Sequence, residues 1–132
     1  MNPVLLPELR YRQLWMGVGL VLAGVIALLS LLPNKDLPDV HLWDKLKHTL
    51  AYVALAFWFG SVVVRRDYFW LGLIVVAFGG AIELLQAQVG RDAEWGDLLA
   101  DGIGTTLGLL LASTPFGRWA HWLESRLPGR GA

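Results

Sequence analysis

Asp97-Leu98-Leu99-Ala100-Asp101-Gly102-Ile103-Gly104-Thr105-Thr106-Leu107-Gly108-Leu109-Leu110-Leu111-Ala112 holds carboxylates at one end, glycines further along, and leucine almost everywhere else. At helical periodicity Asp97, Asp101, Gly104, Gly108 and Ala112 fall on one face. A carboxylate is costly in hydrocarbon, so Asp101 turns this face toward neighbouring helices rather than lipid. Gly104-x-x-x-Gly108 lets another helix backbone approach closely. The stretch is therefore a membrane helix with a polar mouth and a small-residue packing seam.

Three more apolar stretches precede it. They run from about Leu14 to Leu32, from about Leu46 to Val64 and from about Tyr68 to Val89, and the fourth extends from about Leu98 to Thr114. Pro33 and Pro115 stand behind the first and last, where proline cannot continue the backbone ladder. The chain has 132 residues, 55% apolar and only 17% charged, with mean hydropathy +0.51. A spanning helix takes about 20 residues. Four of them use nearly the whole chain, so residues 1–132 are expected to form one all-α transmembrane domain with short loops. The stretch from Asn34 to Asp44 is expected to be a polar loop, with Asp44 and Asp97 placed as helix caps. The tail, with Trp119, Trp122 and three arginines, is expected to form a short interfacial helix. Arg10 and Arg12 precede an apolar run too long for a cleavable signal, so the first helix is expected to be retained.

Zero formal net charge gives nucleic acid no electrostatic footing, and the absence of cysteine excludes disulfides, thiolate metal sites and cysteine nucleophiles. The basic residues divide unevenly. Arg10, Arg12, Arg65, Arg66, Arg118, Arg126 and Arg130 lie at one side, against Lys35, Lys45, Lys47 and Arg91 at the other. The richer side should be cytoplasmic, with both termini inside, in a bacterial inner membrane. Trp15, Trp70 and Trp119 are expected at the inner interface, Trp43 and Trp95 at the outer one.

The outer side then gathers Asp44, Lys45, His48, Tyr52, Glu83, Gln86, Arg91, Asp97 and Asp101. Asp44, His48 and Tyr52 stack at intervals of four. In the third stretch Gly72, Val76, Gly79, Glu83, Gln86 and Gly90 form one face, small on its inner half and polar on its outer half. Glu83, His48 and Asp101 are the candidates for acid–base catalysis. Asp44, Lys45, Tyr52, Gln86, Arg91 and Asp97 are the candidates for ligand binding. Imidazole with carboxylates can also hold a divalent metal, and Arg91 and Lys45 can grip a phosphate. No serine nucleophile, P-loop or zinc motif is present, so no reaction class is fixed.

The ordered set Asp44-Lys45-x-x-His48-x-x-x-Tyr52, Glu83-x-x-Gln86 and Gly90-Arg91-x-x-x-x-x-Asp97-x-x-x-Asp101-x-x-Gly104-x-x-x-Gly108 resembles the VanZ-like family of small bacterial membrane proteins. The resemblance covers about Leu42 to Ala112. Many members carry asparagine where this chain has Asp101. The family name comes from a member linked to low-level teicoplanin resistance, so the resemblance implies a place in the cell envelope. Three readings follow. The outer pocket binds, and in one version modifies, a phosphate-bearing lipid or an undecaprenyl-linked cell-wall precursor. Alternatively the polar groups only tie helices together, or the protein is a metal-dependent enzyme acting on a lipid headgroup. A transporter is disfavoured, because the chain has no inverted repeat and no polar path to the inner side. Homo-oligomers through the glycine faces complete the expectations.

Overall fold

The computed structural model describes residues 4–32, 41–88 and 95–129, with backbone alone at 41–44 and at 95. The described residues are helical throughout apart from turns, short extended pieces and one isolated bridge. Helix α1 spans Arg12–Leu31, α2 His41–Gly60, α3 Tyr68–Gln88, α4 Trp95–Ala112 and α5 Trp119–Ser125. Short 3-10 turns at Arg65–Asp67 and Pro115–Arg118 lead into α3 and α5.

Helix α1 stops where Leu32 becomes extended (φ −70, ψ 140), the conformation that the following Pro33 imposes on its neighbour. Its inward face is Gly19, buried, with Ala23, Ile26 and Ala27 half-buried above it. A Cβ on Gly19 would lie 2.8 Å from ring carbons of Phe59 and Trp58, so the missing side chain admits these aromatics. Helix α2 begins earlier than the sequence suggested: 41–44 are already helical, and Asp44 lies in the first turn instead of capping it. The polar residues there end no helix, since none is proline or glycine. Asp97 likewise lies within the first turn of α4, where the helix dipole favours a carboxylate. At its other end α2 stops at Gly60, short of Val64. The backbone of Ser61–Val64 instead pairs with the N-terminal segment, through Leu6 N–H to the Val62 carbonyl (2.8 Å) and Val64 N–H to the Val4 carbonyl (2.9 Å).

Helices α2 and α4 form the tightest pair. Gly108 sits against α2 so closely that a Cβ would lie 2.5 Å from the Val53 carbonyl oxygen and 2.8 Å from the Ala56 Cβ. Gly104 meets the Thr49 carbonyl in the same way, and Gly60 faces Ala112. The seam read from sequence is thus an intramolecular interface, and these glycines are not available to a second copy. Gly17, Gly24 and Gly102 face open space instead. A core of Tyr52, Leu55, Phe59 and Val75 joins α2 to α3, with Met16, Leu22, Ala23 and Ile26 of α1 packed against it.

The outward surfaces are apolar. Leu20, Val21, Leu28 and Leu29 on α1, Phe69, Trp70 and Ile74 on α3, and Leu99, Ile103 and Leu110 on α4 are exposed. Among the described residues two helical stretches, Arg12–Leu31 and Arg65–Gln88, are long and apolar enough to cross a membrane, and a third joins them if α4 and α5, bent by 72°, form one span. Helix α2 fails that test of composition because Asp44, Lys45 and Lys47 crowd its first turns.

The end of the bundle near Arg65 is closed by a clasp. The Glu124 carboxylate of α5 accepts the backbone N–H groups of Arg10 and Tyr11, each at 2.7 Å, and the indole N–H of Trp15 at 2.9 Å. It thereby serves as the missing cap of α1, whose own Tyr11 offers no side-chain cap. Trp15, Trp58 and Trp119 interlock beside it, with centroids 5.4 Å apart for Trp15–Trp119 and 4.5 Å for Trp58–Trp119. Trp15 and Trp119 are half-buried against each other and Trp58, whereas Trp70 is exposed.

Candidate functional site

Three helices bring ionisable side chains together at the opposite end. Helix α2 supplies Lys45, His48 and Tyr52, α3 supplies Glu83, and α4 supplies Asp97 and Asp101. Their burial follows from the helical faces already visible in sequence. Tyr52, Glu83, Asp97 and Asp101 are all buried, Asp101 to 1% exposure, while the His48 side chain keeps 12%.

His48 Nδ1 lies 3.1 Å from Asp101 Oδ1, bridging α2 and α4. Its other nitrogen lies 4.0 Å from Asp97 Oδ2. Lys45 Nζ stands 3.7 Å from Asp97 Oδ1 at the rim. One ligand atom each from His48, Glu83 and Asp101 lie within 4.8 Å of one another. Asp101 is anchored from behind, because Thr105 donates its hydroxyl to the Asp101 carbonyl at 2.7 Å. Its second oxygen, Oδ2, is buried without a hydrogen-bond partner among the described residues. That oxygen points across to α3 at Gly79, where a Cβ would come within 2.6 Å of it and 3.2 Å of the Tyr52 hydroxyl. Gly79, read from sequence as a packing residue, is thus what makes room for the carboxylate.

Not every expected residue joins this group. Gln86 donates its amide to the Ser30 carbonyl of α1 at 2.8 Å, so it ties α3 to the last turn of α1. Asp44 is described by backbone alone, and Arg91 lies outside the described residues. Thr105 and Gly79 are the contributors that residue type alone does not reveal. A threonine inside a helix and a glycine in a small-residue seam carry no chemical signature.

The arrangement has two chemical capacities. A carboxylate on one imidazole nitrogen orients the ring and fixes its tautomer, as in general-base pairs. The same imidazole and two carboxylates can surround a cation. Helices α2 and α4 both begin at this end, so two positive dipole ends face the mouth.

Glu124 of α5 stands at the clasp end, away from this cluster. Burial pushes its carboxyl upward, but the Tyr11 N–H, the Trp15 indole, the Arg10 N–H and the Arg10 charge outweigh that and hold it below its ordinary 4.5.

Comparison with protein-family models, curated proteins and solved structures finds no match to this chain.

Proposed function

We propose that the chain is a four-span inner-membrane protein, with both termini in the cytoplasm. Its polar end opens outward to bind a phosphate-bearing lipid headgroup or an undecaprenyl-linked envelope precursor. The observation that carries this reading is the convergence of Lys45, His48, Glu83, Asp97 and Asp101 from three helices at one buried end. Groups so costly to bury beside lipid are retained where they act. Helix α2 completes the fourth span: its 20 residues reach about 30 Å, and α3 and α4 cover its polar turns. The arginines at the clasp end supply the cytoplasmic bias. The two helix N-termini favour an anion at the mouth. The ordered resemblance to the VanZ-like family supports an envelope role.

A structural reading has its own support. The Gln86–Ser30 and His48–Asp101 bonds tie helices together, and such bonds average about 0.6 kcal/mol in membranes. Native mass spectrometry of protein released in mild detergent separates the two. Wild type should carry a phosphate-containing lipid that a Glu83→Gln, Arg91→Ala double variant loses while its circular dichroism is unchanged. A bare wild type beside an unstable double variant would make the cluster structural. Orientation is checked on the cysteine-free background. Lys47→Cys should react with an impermeant maleimide added outside, and Arg126→Cys should not; the reverse pattern would sink the topology.

A further inference from the structure

We infer that His48, Glu83 and Asp101 together bind one divalent metal ion. The proposed headgroup reading is not needed for this; only the further step, that the ion receives the ligand's phosphate, rests on it.

The geometry comes first. Ligand atoms from three different helices lie within 4.8 Å of one another. Two ligands about 2.1 Å from one ion are about 3.0–3.4 Å apart when adjacent and about 4.2 Å when opposed. The 3.1 Å between His48 Nδ1 and Asp101 Oδ1 already has the adjacent value. Closing the 4.8 Å spread to the opposed or adjacent value takes about 0.6 to 1.4 Å of side-chain adjustment, within the freedom of the three-torsion Glu83 side chain.

Asp101 supplies an independent observation. Its Oδ2 is buried without a hydrogen-bond partner among the described residues, in a residue only 1% exposed. A buried carboxylate oxygen requires a proton, a donor or a cation. This one is aimed across Gly79 at α3, one turn from Glu83 on the same helix face.

The donor set defines the ion. One imidazole with two carboxylates, and no thiolate anywhere in the chain, suits Mn²⁺ or Zn²⁺. Three protein ligands leave coordination positions open, as in sites that take an external oxygen ligand. Asp97 and Lys45 lie beside these three residues, within ion-pair distance of each other. A phosphate oxygen entering from the mouth would complete the shell beside Lys45.

The test uses the full chain in detergent, stripped with EDTA and titrated with Mn²⁺ by electron paramagnetic resonance. Wild type should bind one ion per chain. Glu83→Gln, Asp101→Asn and His48→Gln should each weaken binding about tenfold or more. Glu124→Gln, at the far end, should leave it unchanged. Spin-echo modulation from a directly ligated imidazole nitrogen should be present in wild type and absent in His48→Gln. If a ligand variant fails to fold, that modulation in wild type still decides. No stoichiometric Mn²⁺, binding untouched by all three substitutions, or no nitrogen modulation would each overturn the site. The headgroup reading is separated by mass spectrometry before and after EDTA treatment. A lipid adduct that survives EDTA would leave that reading standing and overturn the step in which the ion receives the phosphate. Metal bound to the untreated protein with no lipid adduct would keep the ion and overturn the headgroup reading.

Discussion

At the scale of single residues, Gly79 and Asp101 form the most sharply defined pair. A methyl group on Gly79 would stand 2.6 Å from Asp101 Oδ2 and 3.2 Å from the Tyr52 hydroxyl. Gly79→Ala should therefore cost about 1–3 kcal/mol, the range for overpacking a tight contact. Much of that cost should vanish when Asp101→Ala is already present, since the clashing carboxylate is then gone. A double-mutant cycle measures this, and strictly additive losses would show that the two residues do not touch. Glu83, His48 and Asp101 were legible in sequence because a charge inside an apolar helix is hard to explain away. Their meeting at one point was legible only as a shared end of the bundle. The partner of Gln86 was not legible at all, because an amide bonds any carbonyl within reach and its position among polar residues suggested the mouth. Gly79 shows the same limit. Its small size was visible, but the oxygen that occupies the space sits on a different helix.

The helices themselves were mostly legible as elements, because leucine-rich stretches with small residues every fourth position have few other solutions. Their ends were less so. Helix α2 starts at His41, before the boundary suggested by its first uncharged run, because lysine, aspartate and histidine continue a helix as readily as they border one. It ends at Gly60 because its last apolar residues serve a different purpose, pairing their backbone with the chain's N-terminal segment. The α2–α4 seam permits a test at this scale. Gly108→Leu places a side chain against the Val53 carbonyl and the Phe57 nitrogen, which are helix backbone and cannot rotate aside. It should destabilise the fold by about 3 kcal/mol, the upper range for overpacking. Gly102→Leu, on the open face of the same helix, should be neutral or stabilising by up to about 1 kcal/mol through helix propensity. Unfolding of both variants in mixed detergent and dodecyl sulfate micelles makes the comparison. Equal losses would mean that α4 does not present Gly108 to α2.

For the whole molecule, the clasp joins chain segments more than a hundred positions apart: Glu124 of α5 holds Arg10, Tyr11 and Trp15. No periodicity relates such residues, so the tail was legible as a short helix but not as the cap of the first one. The clasp also gives stability a pH dependence. The Glu124 carboxyl is held below its ordinary 4.5, so the unfolded chain takes up this proton first as the pH falls. The clasp is then at full strength above that value and is lost as the pH falls through the lower, folded one. Glu124→Gln should lower stability by about 1 kcal/mol at neutral pH, a usual cost for a lost cap. Wild type and variant should converge once the pH has fallen below that lower, folded value. Thermal melts from neutral pH downward check it, and a constant gap between the two curves would remove Glu124 as the cause. The neighbouring tryptophans have a consequence of their own. Three indoles whose centroids lie 4.5 to 6.4 Å apart share their excited states. Such a trio should give an exciton couplet in the ultraviolet that the exposed Trp70 and Trp122 do not contribute. The clasp would then carry its own optical gauge, readable without a label, for whether a change at one end of the bundle is felt at the other.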